Sequence, residues 1–427
     1  AQSTLFREQF RRLWIIVDDA DDKLPLRGLF FGTSRTYGTG FNDQRHLVYP
    51  WQITSEVTNL AMCATGPQYS TMCFRTMVGN KLRVDFVVFE YNNILSGSER
   101  KLKVLAQRAR ARFPVAKFIF LMIPLPGNYL HLPSQLRLLD YANKQKPETF
   151  QPHLYESMTY ERIHDVLQHS NAEDWVLEYH PEQTREIFDA ATAVNGTIWS
   201  PFDGARKLTL EQIKENCILC FRDGNHLSIN GHNQVAAVIK GILKREGVTR
   251  RDVVGKWDDY DSCHSFFQSG EVHLQHSPMN MFSWGSNQEA GLVHGKHALE
   301  VARPTSWIKI KNPTWHHLNL YIYSMSTWPK QYYPVTNLTV SRKYRLRYDH
   351  PSRRQNEIQV QISPMATVKG NIAREFHIIK GTFVGKVKPG VHYLHFQPLE
   401  ETERPFRVTG IAITAHGDDN DLQGYFD

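Results

Sequence analysis

The chain has 427 residues, of which 41% are hydrophobic, and its formal net charge at pH 7 is +7. On a prior of about 150 residues per domain, this length can form one large core or two to three smaller ones. The longest apolar run, Phe118 to Ile123, stops at Pro124 and is far shorter than the roughly 20 residues that cross a bilayer, so no transmembrane span is predicted. Basic residues are dispersed among acidic ones and aromatic residues do not interleave with them, which argues against nucleic-acid binding.

Up to about residue 250, short apolar runs alternate with helical patterns, which is typical of βαβ units and a parallel sheet. Strands are predicted at RGLFFG (27–32), RVDFVVFEY (83–91), AKFIFLMI (116–123), NGTIWS (195–200) and CILCF (217–221). One helix is predicted to begin after a cap at Ser98, with an apolar stripe formed by Leu102, Leu105, Ala106, Ala109 and Phe113. A closing helix is predicted over Val235 to Leu243.

Beyond Gly247 the pattern changes to alternating apolar and polar residues between Gly and Pro turns, without long helical periods. The clearest examples are EIQVQI (357–362), GVHYLHF (390–396) and FRVTGIAITAHG (406–417). The predicted fold class is therefore α/β, followed by an antiparallel β-sandwich or jelly roll. The predicted domains are an N-terminal arm (1–27), an α/β domain (28–250) and a β-sandwich domain (251–427).

Five cysteines, an odd number, are too few for a disulfide scaffold and leave at least one thiol free unless two chains pair. Cys217 and Cys220 have the spacing of half a zinc ribbon, but no second pair completes a site, so no metal is predicted. Two glycosylation sequons, at Asn195 and Asn337, favour a secreted or secretory-pathway glycoprotein.

Ser34 lies in the glycine-rich segment FFGTSRTYGTG (30–40), directly after the first predicted strand. A second segment, RDGNHLSINGH (222–232), carries Asp223 and His226 on a loop before the closing helix. An imidazole can accept the proton of a serine hydroxyl, and a carboxylate can fix the tautomer of that imidazole. Functional loops of α/β sheets gather at the carboxyl ends of the strands, where all three residues would lie. The sequence thus predicts a nucleophile, a base and an orienting carboxylate.

Acyl transfer from an ester also needs hydrogen-bond donors where the oxyanion forms. Asn92 follows the strand in VVFEYNN (87–93), so its side-chain amide is placed to face the same edge of the sheet. The segment NLAMCATG (59–66) forms a small-residue loop after another short apolar run. The amides of Ser34 and Ala64 would complete this oxyanion hole.

Together these segments resemble the SGNH hydrolases, also called GDSL-type esterases, over roughly residues 28 to 246. The family has a Gly-Asp-Ser block, a small residue after an Asn-Leu-Gly-like run, a Gly-x-Asn-Asp block and a final Asp-x-x-His block. The matching segments keep this order: Gly32-Thr33-Ser34, Asn59 to Gly66, Glu90-Tyr91-Asn92-Asn93 and Asp223-Gly224-Asn225-His226.

The resemblance implies a three-layer α/β/α domain that hydrolyses or transfers an acyl ester. It implies Ser34 as nucleophile, His226 as base and Asp223 as the residue that orients this base. Asn92 and the amides of Ser34 and Ala64 would stabilise the oxyanion. Because ester cleavage by an activated serine requires neither a metal nor an organic cofactor, none is expected.

The chain departs from the family pattern at several positions. Thr33 replaces the family's Asp, and Glu90 and Asn93 replace the outer residues of the third block. Ala64 stands where the oxyanion glycine is expected, and Gly66 takes that place if the alignment shifts by two residues. The changes at 33 and 93 are expected to alter loop hydrogen bonding, and the Glu90 carboxylate would slow catalysis if it faced the site. None of these changes removes the nucleophile or the base.

The predicted β-domain contains Trp307, Trp315 and Trp328, followed by Tyr332 and Tyr333. Such rings pack on sugars as well as in a protein core, with core packing as the default. Because an esterase-like domain joined to a β-sandwich is typical of enzymes that deacetylate or acylate polysaccharides, a glycan-linked acetyl ester is the favoured substrate. A lipid or other small ester is the alternative substrate.

Two other functions are compatible with parts of this pattern. The nucleophile-elbow hydrolases require Gly-x-Ser-x-Gly, and Thr36 occupies the place of the final glycine, which argues against that fold. The other alternative is a catalytically inactive SGNH-like domain that serves as a glycan-binding or structural module. The altered first and third blocks motivate this second interpretation.

Overall fold

The computed structural model describes residues 23–38, 41, 44–62, 65–91, 99–123, 125–126, 177–178, 181–199, 226–227, 229–257, 260–266, 273–284, 296–303, 306–328, 332–344, 357–365 and 376–415. These residues fall into two compact units. The first lies within Ala1–Pro67 and Lys81–Lys256, and the second within Gln68–Asn80 and Trp257–Asp427. None of the helices in the described ranges has the length and apolar character needed to cross a bilayer.

The first unit contains a parallel sheet and five of the seven described α-helices. Its strands are β1 (Leu24–Gly32), β2 (Thr54–Asn59), β3 (Phe86–Glu90), β4 (Lys117–Leu121), β5 (Leu125–Pro126), β6 (Leu177–Glu178) and β7 (Thr197–Trp199). The helices of the described residues are α1 (Ser34–Tyr37), α2 (Tyr49–Ile53), α3 (Pro67–Met72), α4 (Phe74–Val78), α5 (Glu99–Arg112), α6 (Pro181–Ala193) and α7 (Ile229–Arg245). A 3-10 turn covers Arg45–Leu47.

The main sheet has the strand order β2-β1-β3-β4-β7, and every pairing in it is parallel. This is the order of a doubly wound sheet, in which the direction of strand addition reverses between β1 and β3. Ligand sites of such sheets lie at the carboxyl ends of the strands near that reversal. The short strands β5 and β6 form a separate antiparallel pair.

Helices cover both faces of this sheet. On one face Phe30 packs edge-on against Phe86 and against Tyr49 of α2. On the other face Phe31 stacks on Phe89 with ring centroids 5.6 Å apart. Phe89 also stacks on Phe118, and the guanidinium group of Arg110 in α5 lies over the Phe118 ring. Because both faces are buried, the strands consist of near-continuous apolar runs, which is why sequence reading located them.

Helix α5 packs with the apolar stripe that the sequence predicts, and the predicted closing helix is α7. Helix α5 buries Leu102, Leu105, Ala106, Ala109 and, just beyond its end, Phe113. Helix α7 adds Val235, Ala236, Ile239, Ile242 and Leu243 to the core on the β1 face. The predicted α/β class with helices on both faces is confirmed.

The strands predicted at 83–91, 116–123 and 195–200 are confirmed as β3, β4 and β7, whereas Ser98 and the strand predicted at 217–221 lie outside the described residues. The run expected before the small-residue loop is not apolar: it is β2, with the sequence TSEVTN. Within the described part of the chain this strand pairs with β1 alone, at the edge of the sheet. Ser55 and Glu56 are exposed there, so polar residues are tolerated.

A buried carboxylate fastens the opposite end of the sheet. Asp85 precedes β3 and accepts hydrogen bonds from the amide of Arg27 at 2.8 Å, from Arg27 Nη2 at 2.7 Å and from the amide of Arg251 at 2.9 Å. Burial alone would raise the pKa of Asp85, but these donors and the Arg27 charge outweigh it and lower the pKa. The segment after α7 is thereby fixed to the start of β1.

The second unit is an antiparallel β-sandwich, as predicted. Its strands are β8 (Asp261–Ser265), β9 (Asn280–Trp284), β10 (Lys296–Val301), β11 (Ser306–Asn312), β12 (Leu318–Trp328), β13 (Thr336–Ser341), β14 (Ile358–Ile362), β15 (Phe376–Val387), β16 (Gly390–Pro398) and β17 (Phe406–Thr414). One sheet has the order β15-β12-β17-β10-β9 with β8 added beside β17, and the other has the order β11-β16-β13-β14.

Alternate side chains of the two sheets form one apolar core. Ile322 and Ile411 from the six-stranded sheet and Ile308, Leu394 and Phe396 from the four-stranded sheet are all buried in it. This alternation explains the period-2 pattern of the sequence beyond residue 251. The strands predicted at 357–362, 390–396 and 406–417 correspond to β14, β16 and β17.

A segment between β2 and β3 belongs to the β-sandwich unit rather than to the sheet that flanks it in sequence. Within this segment, Cys73 forms a disulfide with Cys263 of β8. Asp261 of the same strand accepts hydrogen bonds from the amides of Arg75 and Thr76 at 2.8 and 2.7 Å. The local sequence pattern predicts residues 68–80 as part of the α/β domain, because these long-range links leave no local sequence signal.

Candidate active site

Ser34 is the first residue of α1 and lies immediately beyond the carboxyl end of β1. Thr33 caps this helix, and its side chain accepts a hydrogen bond from the amide of Arg35 at 3.4 Å. Gly38 ends the helix at φ +82°, and its amide donates to Ser34 O at 3.0 Å. Both ends of the short helix are thus fixed, and 8% of Ser34 is exposed.

Gly32 is required by the close packing of this turn. A Cβ atom at this position would lie 2.8 Å from Thr36 Cβ and 2.9 Å from the carbonyl oxygen of Glu90. Contacts this short do not occur at real Cβ atoms, so a side chain here would push the Ser34 turn away from β3.

His226 is the hydrogen-bond partner of Ser34, although 192 residues separate the two in sequence. The distance from His226 Nε2 to Ser34 Oγ is 2.9 Å. The next residue, Leu227, is buried in the core that α7 forms with the sheet. Because this neighbour is anchored, the imidazole is held at the carboxyl edge of the sheet beside the serine.

Behind Ser34 lies the fully buried carboxyl group of Glu90, at the end of β3. Its Oε2 atom accepts hydrogen bonds from Thr33 N at 3.2 Å, Thr33 Oγ1 at 2.8 Å and Thr36 Oγ1 at 3.1 Å. Burial raises the pKa of Glu90, and the positive charge of Arg35 and these hydrogen bonds oppose part of that rise. Thr33 thus binds Glu90 through both its amide and its hydroxyl group.

Further polar contacts support the serine loop. Tyr49 OH lies 2.6 Å from Thr36 Oγ1, and the buried Arg35 donates from Nη1 to Ile123 O at 2.6 Å, beyond the end of β4. Asn59 donates from Nδ2 to Thr36 O at 2.8 Å. Helix α2, strand β2 and the segment after β4 thus each contribute a contact to the loop that carries Ser34.

The loop after β2 is also tied to the serine loop. The amide of Met62 donates to Gly32 O at 3.0 Å, and the amide of Ala61 donates to Asn59 Oδ1 at 3.0 Å. This places the first and second family-like blocks side by side at the carboxyl edge of the sheet. Sequence reasoning did not assign a role to Asn59, Tyr49 or Arg35, since their contacts arise from the tertiary fold.

Among the predicted site residues, the structure brings Ser34 and His226 together. Asp223, Ala64 and Asn92 lie outside the described residues, so their roles stay predictions. Among the residues that the structure describes, no group of three or more His, Cys, Asp or Glu side chains is placed to hold a metal ion.

The aromatic residues singled out in the β-sandwich differ in how deeply they are buried. Tyr333 is buried and Tyr332 half-buried, as the core interpretation expects, and the side chain of Trp328 lies outside the described part. Trp315 is 93% exposed, on the turn between β11 and β12, so the core interpretation is wrong for this residue. Trp307 is half-buried and belongs to a ring cluster on the sheet surface.

This aromatic cluster consists of Trp307, Tyr344 and Tyr393. Their ring centroids lie 4.9 to 5.7 Å apart in edge-to-face arrangements. Trp307 lies on the side of β11 opposite to the core residues Ile308 and Ile310, and 49% of Tyr344 is exposed. The cluster thus forms an aromatic patch on the outer face of the four-stranded sheet.

No family model matches the chain, and no curated protein matches it. Among solved structures, a two-domain esterase active on acetylated mannans is similar, with 12% identity and a TM-score of 0.48 over 95% of each chain. A Clostridium stercorarium carbohydrate-binding module in complex with cellobiose is 10% identical, with a TM-score of 0.21 over 36% of this chain and 92% of that one. A module of Cellvibrio mixtus lichenase 5A in complex with cellotriose is 10% identical, with a TM-score of 0.19 over 36% and 98%.

The described geometry agrees with the order of the family-like blocks. The serine follows β1, the small-residue loop follows β2 and Glu90 ends β3, all at one edge of a parallel sheet. The histidine precedes the last helix of the unit and contacts the serine. In strand order and in the placement of Ser34 and His226, the first unit resembles the SGNH hydrolases, and it is followed by a β-sandwich unit.

Proposed function

We propose that this protein is a serine esterase or acyltransferase in which Ser34 is the nucleophile and His226 the general base. The observation that carries this proposal is the 2.9 Å contact between Ser34 Oγ and His226 Nε2. This is the separation at which an imidazole can remove a hydroxyl proton as the oxygen attacks a carbonyl carbon.

The proposed reaction has two halves. Ser34 Oγ attacks the ester carbonyl while His226 Nε2 takes the hydroxyl proton, and the tetrahedral intermediate then expels the alcohol, which receives that proton. The acyl group is left on Ser34 Oγ. A water molecule or an acceptor alcohol attacks this acyl-serine, His226 again accepts a proton, and collapse returns the proton to Ser34 as the carboxylic acid or the new ester is released.

Asp223 is proposed to orient the base. Because Nε2 must accept the serine proton, Nδ1 of the same ring must carry the hydrogen in the resting state. A carboxylate at Nδ1 fixes this tautomer and stabilises the imidazolium that forms during attack. Asp223 precedes His226 by three residues, which lets one loop present both side chains.

The oxyanion is proposed to bind the amides of Ser34 and Ala64 and the side-chain amide of Asn92. The Ser34 amide is the first of α1, and the first amides of a helix have no partner within it. Such fixed donors are worth about 3 kcal/mol each to the transition state of acyl transfer.

The proposed substrate is an acetyl ester on a polysaccharide. An esterase-like unit followed by a β-sandwich supports this, as does the aromatic cluster of Trp307, Tyr344 and Tyr393, since flat rings pack against the apolar faces of sugars. A lipid ester or another small ester is the competing substrate. Acetate release from an acetylated polysaccharide, compared with short and long p-nitrophenyl esters, separates these classes.

The proposed chemistry is tested by labelling and mutation. A fluorophosphonate probe should label Ser34, and Ser34→Ala and His226→Ala should each lower turnover of p-nitrophenyl acetate by about 10⁴-fold. Ser55→Ala and His46→Ala are matched controls, because both side chains are exposed on the same unit. A folded wild-type protein that is neither labelled nor active would contradict the proposal.

The protein is further proposed to be secreted and glycosylated. The Cys73–Cys263 disulfide supports an oxidising compartment. Asn195 of the first sequon is exposed on a turn at φ +50°, whereas Asn337 is half-buried within β13. Expression in a secreting eukaryotic host, followed by glycosidase treatment and peptide mapping, should find a glycan on Asn195.

The second candidate function is a glycan-binding module with a silent active site. The exposed ring of Trp315 and the aromatic cluster favour this alternative. Polysaccharide binding that survives Ser34→Ala, together with no hydrolysis of any acyl ester by the wild type, would favour it over the esterase.

A further inference from the structure

Thr33 and Glu90 are two positions at which the chain departs from the SGNH blocks, and these two residues contact each other. Thr33 stands where the first block has an aspartate, and Glu90 stands where the third block has a glycine. Glu90 is the register partner of Gly32 across β1 and β3, so its side chain begins beside the first block. A carboxyl group is thus missing from one loop and supplied by the neighbouring strand.

We propose that Glu90 is a positioning residue that holds α1 so that the Ser34 hydroxyl faces His226. This inference rests on the proposed function, because it takes Ser34 as the nucleophile. It goes beyond that function by assigning a role to a side chain that the family-like pattern does not contain.

The hydrogen bonds carry the argument. One oxygen, Glu90 Oε2, accepts from the residue before Ser34, through Thr33 N and Thr33 Oγ1, and from the residue two positions after it, through Thr36 Oγ1. A helix of four residues is not stable by itself, because the free energy of forming a single isolated helical turn is unfavourable. An external acceptor that binds both flanks of Ser34 therefore fixes the direction of its Cα–Cβ bond.

The surroundings of the carboxyl group support the same role. Tyr49 OH lies 2.6 Å from Thr36 Oγ1, so this hydroxyl can donate to Thr36 while Thr36 donates to Glu90. The other carboxyl oxygen, Oε1, is buried and has no hydrogen-bond partner in the described part of the chain. Within the described part of the chain, the hydrogen bonds of the carboxyl group thus come from α1 and its cap residue Thr33.

The charge of Glu90 bears on the negative oxyanion that forms next to Ser34. Burial raises the pKa of Glu90, which favours its neutral form, while Arg35 opposes this shift and Tyr49 is the other titratable group beside it. A neutral carboxyl group keeps the same acceptor oxygen. It can position the serine without placing a full negative charge behind the oxyanion, where such a charge would slow catalysis.

The test compares Glu90→Gln with Glu90→Ala. Glutamine keeps an acceptor oxygen of the same shape without the charge, so kcat for p-nitrophenyl acetate should stay within about threefold of wild type. Alanine removes the acceptor, so kcat should fall by about 100-fold with little change in KM, because misplacement of a reacting group acts on the chemical step. The rate of Ser34 phosphonylation should fall in parallel.

Thr36→Val provides a milder variant, because it removes one donor to Glu90 and keeps the side-chain shape. Its kcat should fall by about tenfold, again with KM nearly constant. If Glu90→Ala does not fold, this variant and Glu90→Gln decide the question. Wild-type kcat and phosphonylation rate in Thr36→Val would then overturn the positioning role.

Crystal structures of the variants distinguish this inference from the proposed function. The Ser34 Oγ to His226 Nε2 distance should stay near its present value in Glu90→Gln and exceed hydrogen-bonding range in Glu90→Ala. An unchanged distance and an unchanged phosphonylation rate in Glu90→Ala would overturn the inference while leaving Ser34 as the nucleophile. If wild-type Ser34 does not react, the proposed function fails, and the distances alone still decide the role of Glu90. An equal loss of kcat in Glu90→Gln and Glu90→Ala would contradict the inference that an uncharged acceptor oxygen at position 90 is enough to position Ser34.

Discussion

Arg27 and Asp85 form a nearly solvent-free ion pair at the amino-terminal edge of the parallel sheet. Arg27 donates to Asp85 from its amide, from Nε at 3.1 Å and from Nη2 at 2.7 Å. The side chain of Asp85 is fully buried and that of Arg27 is 12% exposed. Since the pair joins β1 to the start of β3, it supports the strands whose opposite ends carry Ser34 and Glu90.

This pair predicts a specific pH dependence of stability. The pKa of Asp85 is lower in the folded protein than in the unfolded chain, where an aspartate has a pKa of about 3.9. A group of this kind stabilises the fold above the unfolded pKa, and its contribution is lost as the pH falls through the folded pKa. Asp85→Asn should therefore lower the free energy of unfolding by about 3 kcal/mol at pH 7.

Urea unfolding of wild type and Asp85→Asn at pH 7 and below pH 3 measures this contribution. The difference between the two proteins should be large at pH 7 and shrink in acid, because protonation removes the same charge from the wild type. Asp252→Asn is a suitable control, since Asp252 also contacts Arg27 but is exposed. A difference that stayed constant with pH would contradict the assignment.

A second prediction concerns the Cys73–Cys263 disulfide. These cysteines are 190 residues apart. By the chain-entropy model, a disulfide that closes a loop of this length lowers the entropy of the unfolded chain and so stabilises the folded protein by about 5 kcal/mol. The double variant Cys73→Ser/Cys263→Ser should unfold at lower denaturant concentration, and peptide mapping of the wild type should recover the linked pair. A wild-type protein without this linked peptide would contradict the prediction.

A third prediction concerns the carboxylate that caps α4. The Asp261 carboxylate accepts hydrogen bonds from the backbone amides of Arg75 and Thr76. The first amides of a helix have no acceptor within the helix, so Asp261 satisfies two of them. Asp261→Ala should destabilise the protein by about 1 kcal/mol, as loss of a helix cap typically does. Thermal unfolding of this variant within the disulfide-free background would show whether the cap and the disulfide stabilise independently.

The sequence located the elements whose local pattern is strong. Strands β3 and β4 are buried on both faces and therefore appear as apolar runs, and α7 keeps one apolar stripe along its length. The meeting of Ser34 with His226 was predicted from the order of short motifs, each placed beside a strand or helix end.

Other features depend on contacts that no local pattern records. The TSEVTN segment of β2 is polar because it is an edge strand, so it did not match the expected apolar run. The sequence alone predicts slower catalysis if the Glu90 carboxylate faces the site, whereas the donors from Thr33 and Thr36 that define its environment are brought near only by the fold. The pairing of Cys73 with Cys263 likewise requires the tertiary structure.

A fourth prediction tests the aromatic cluster as a sugar-binding surface. Trp307→Ala removes the ring that contacts both Tyr344 and Tyr393, and should weaken polysaccharide binding by about tenfold, equivalent to about 1.4 kcal/mol. Hydrolysis of p-nitrophenyl acetate should be unaffected, because this small ester has no sugar. Tyr321→Phe is the control, since this buried ring lies in the other sheet. Equal polysaccharide binding by Trp307→Ala and wild type would show that the aromatic cluster is not the sugar-binding surface.

The fifth prediction uses Gly32 to test how closely the serine loop must approach β3. A Cβ at Gly32 would lie 2.9 Å from the carbonyl oxygen of Glu90, so Gly32→Ala must displace α1. We expect kcat for p-nitrophenyl acetate to fall by about 100-fold, because a shift of about 1 Å misaligns Ser34 and His226.

Gly79→Ala is the matched control for this last prediction. Gly79 has φ +70° and no atom within 4 Å of an added Cβ, so alanine there meets no neighbour and costs about 1 kcal/mol of backbone strain. It should lower the melting temperature and leave kcat unchanged, whereas Gly32→Ala should lower both. Full activity in a folded Gly32→Ala variant would mean that the Ser34 turn tolerates displacement from β3, and that the hydrogen bond to His226 does not depend on this close approach.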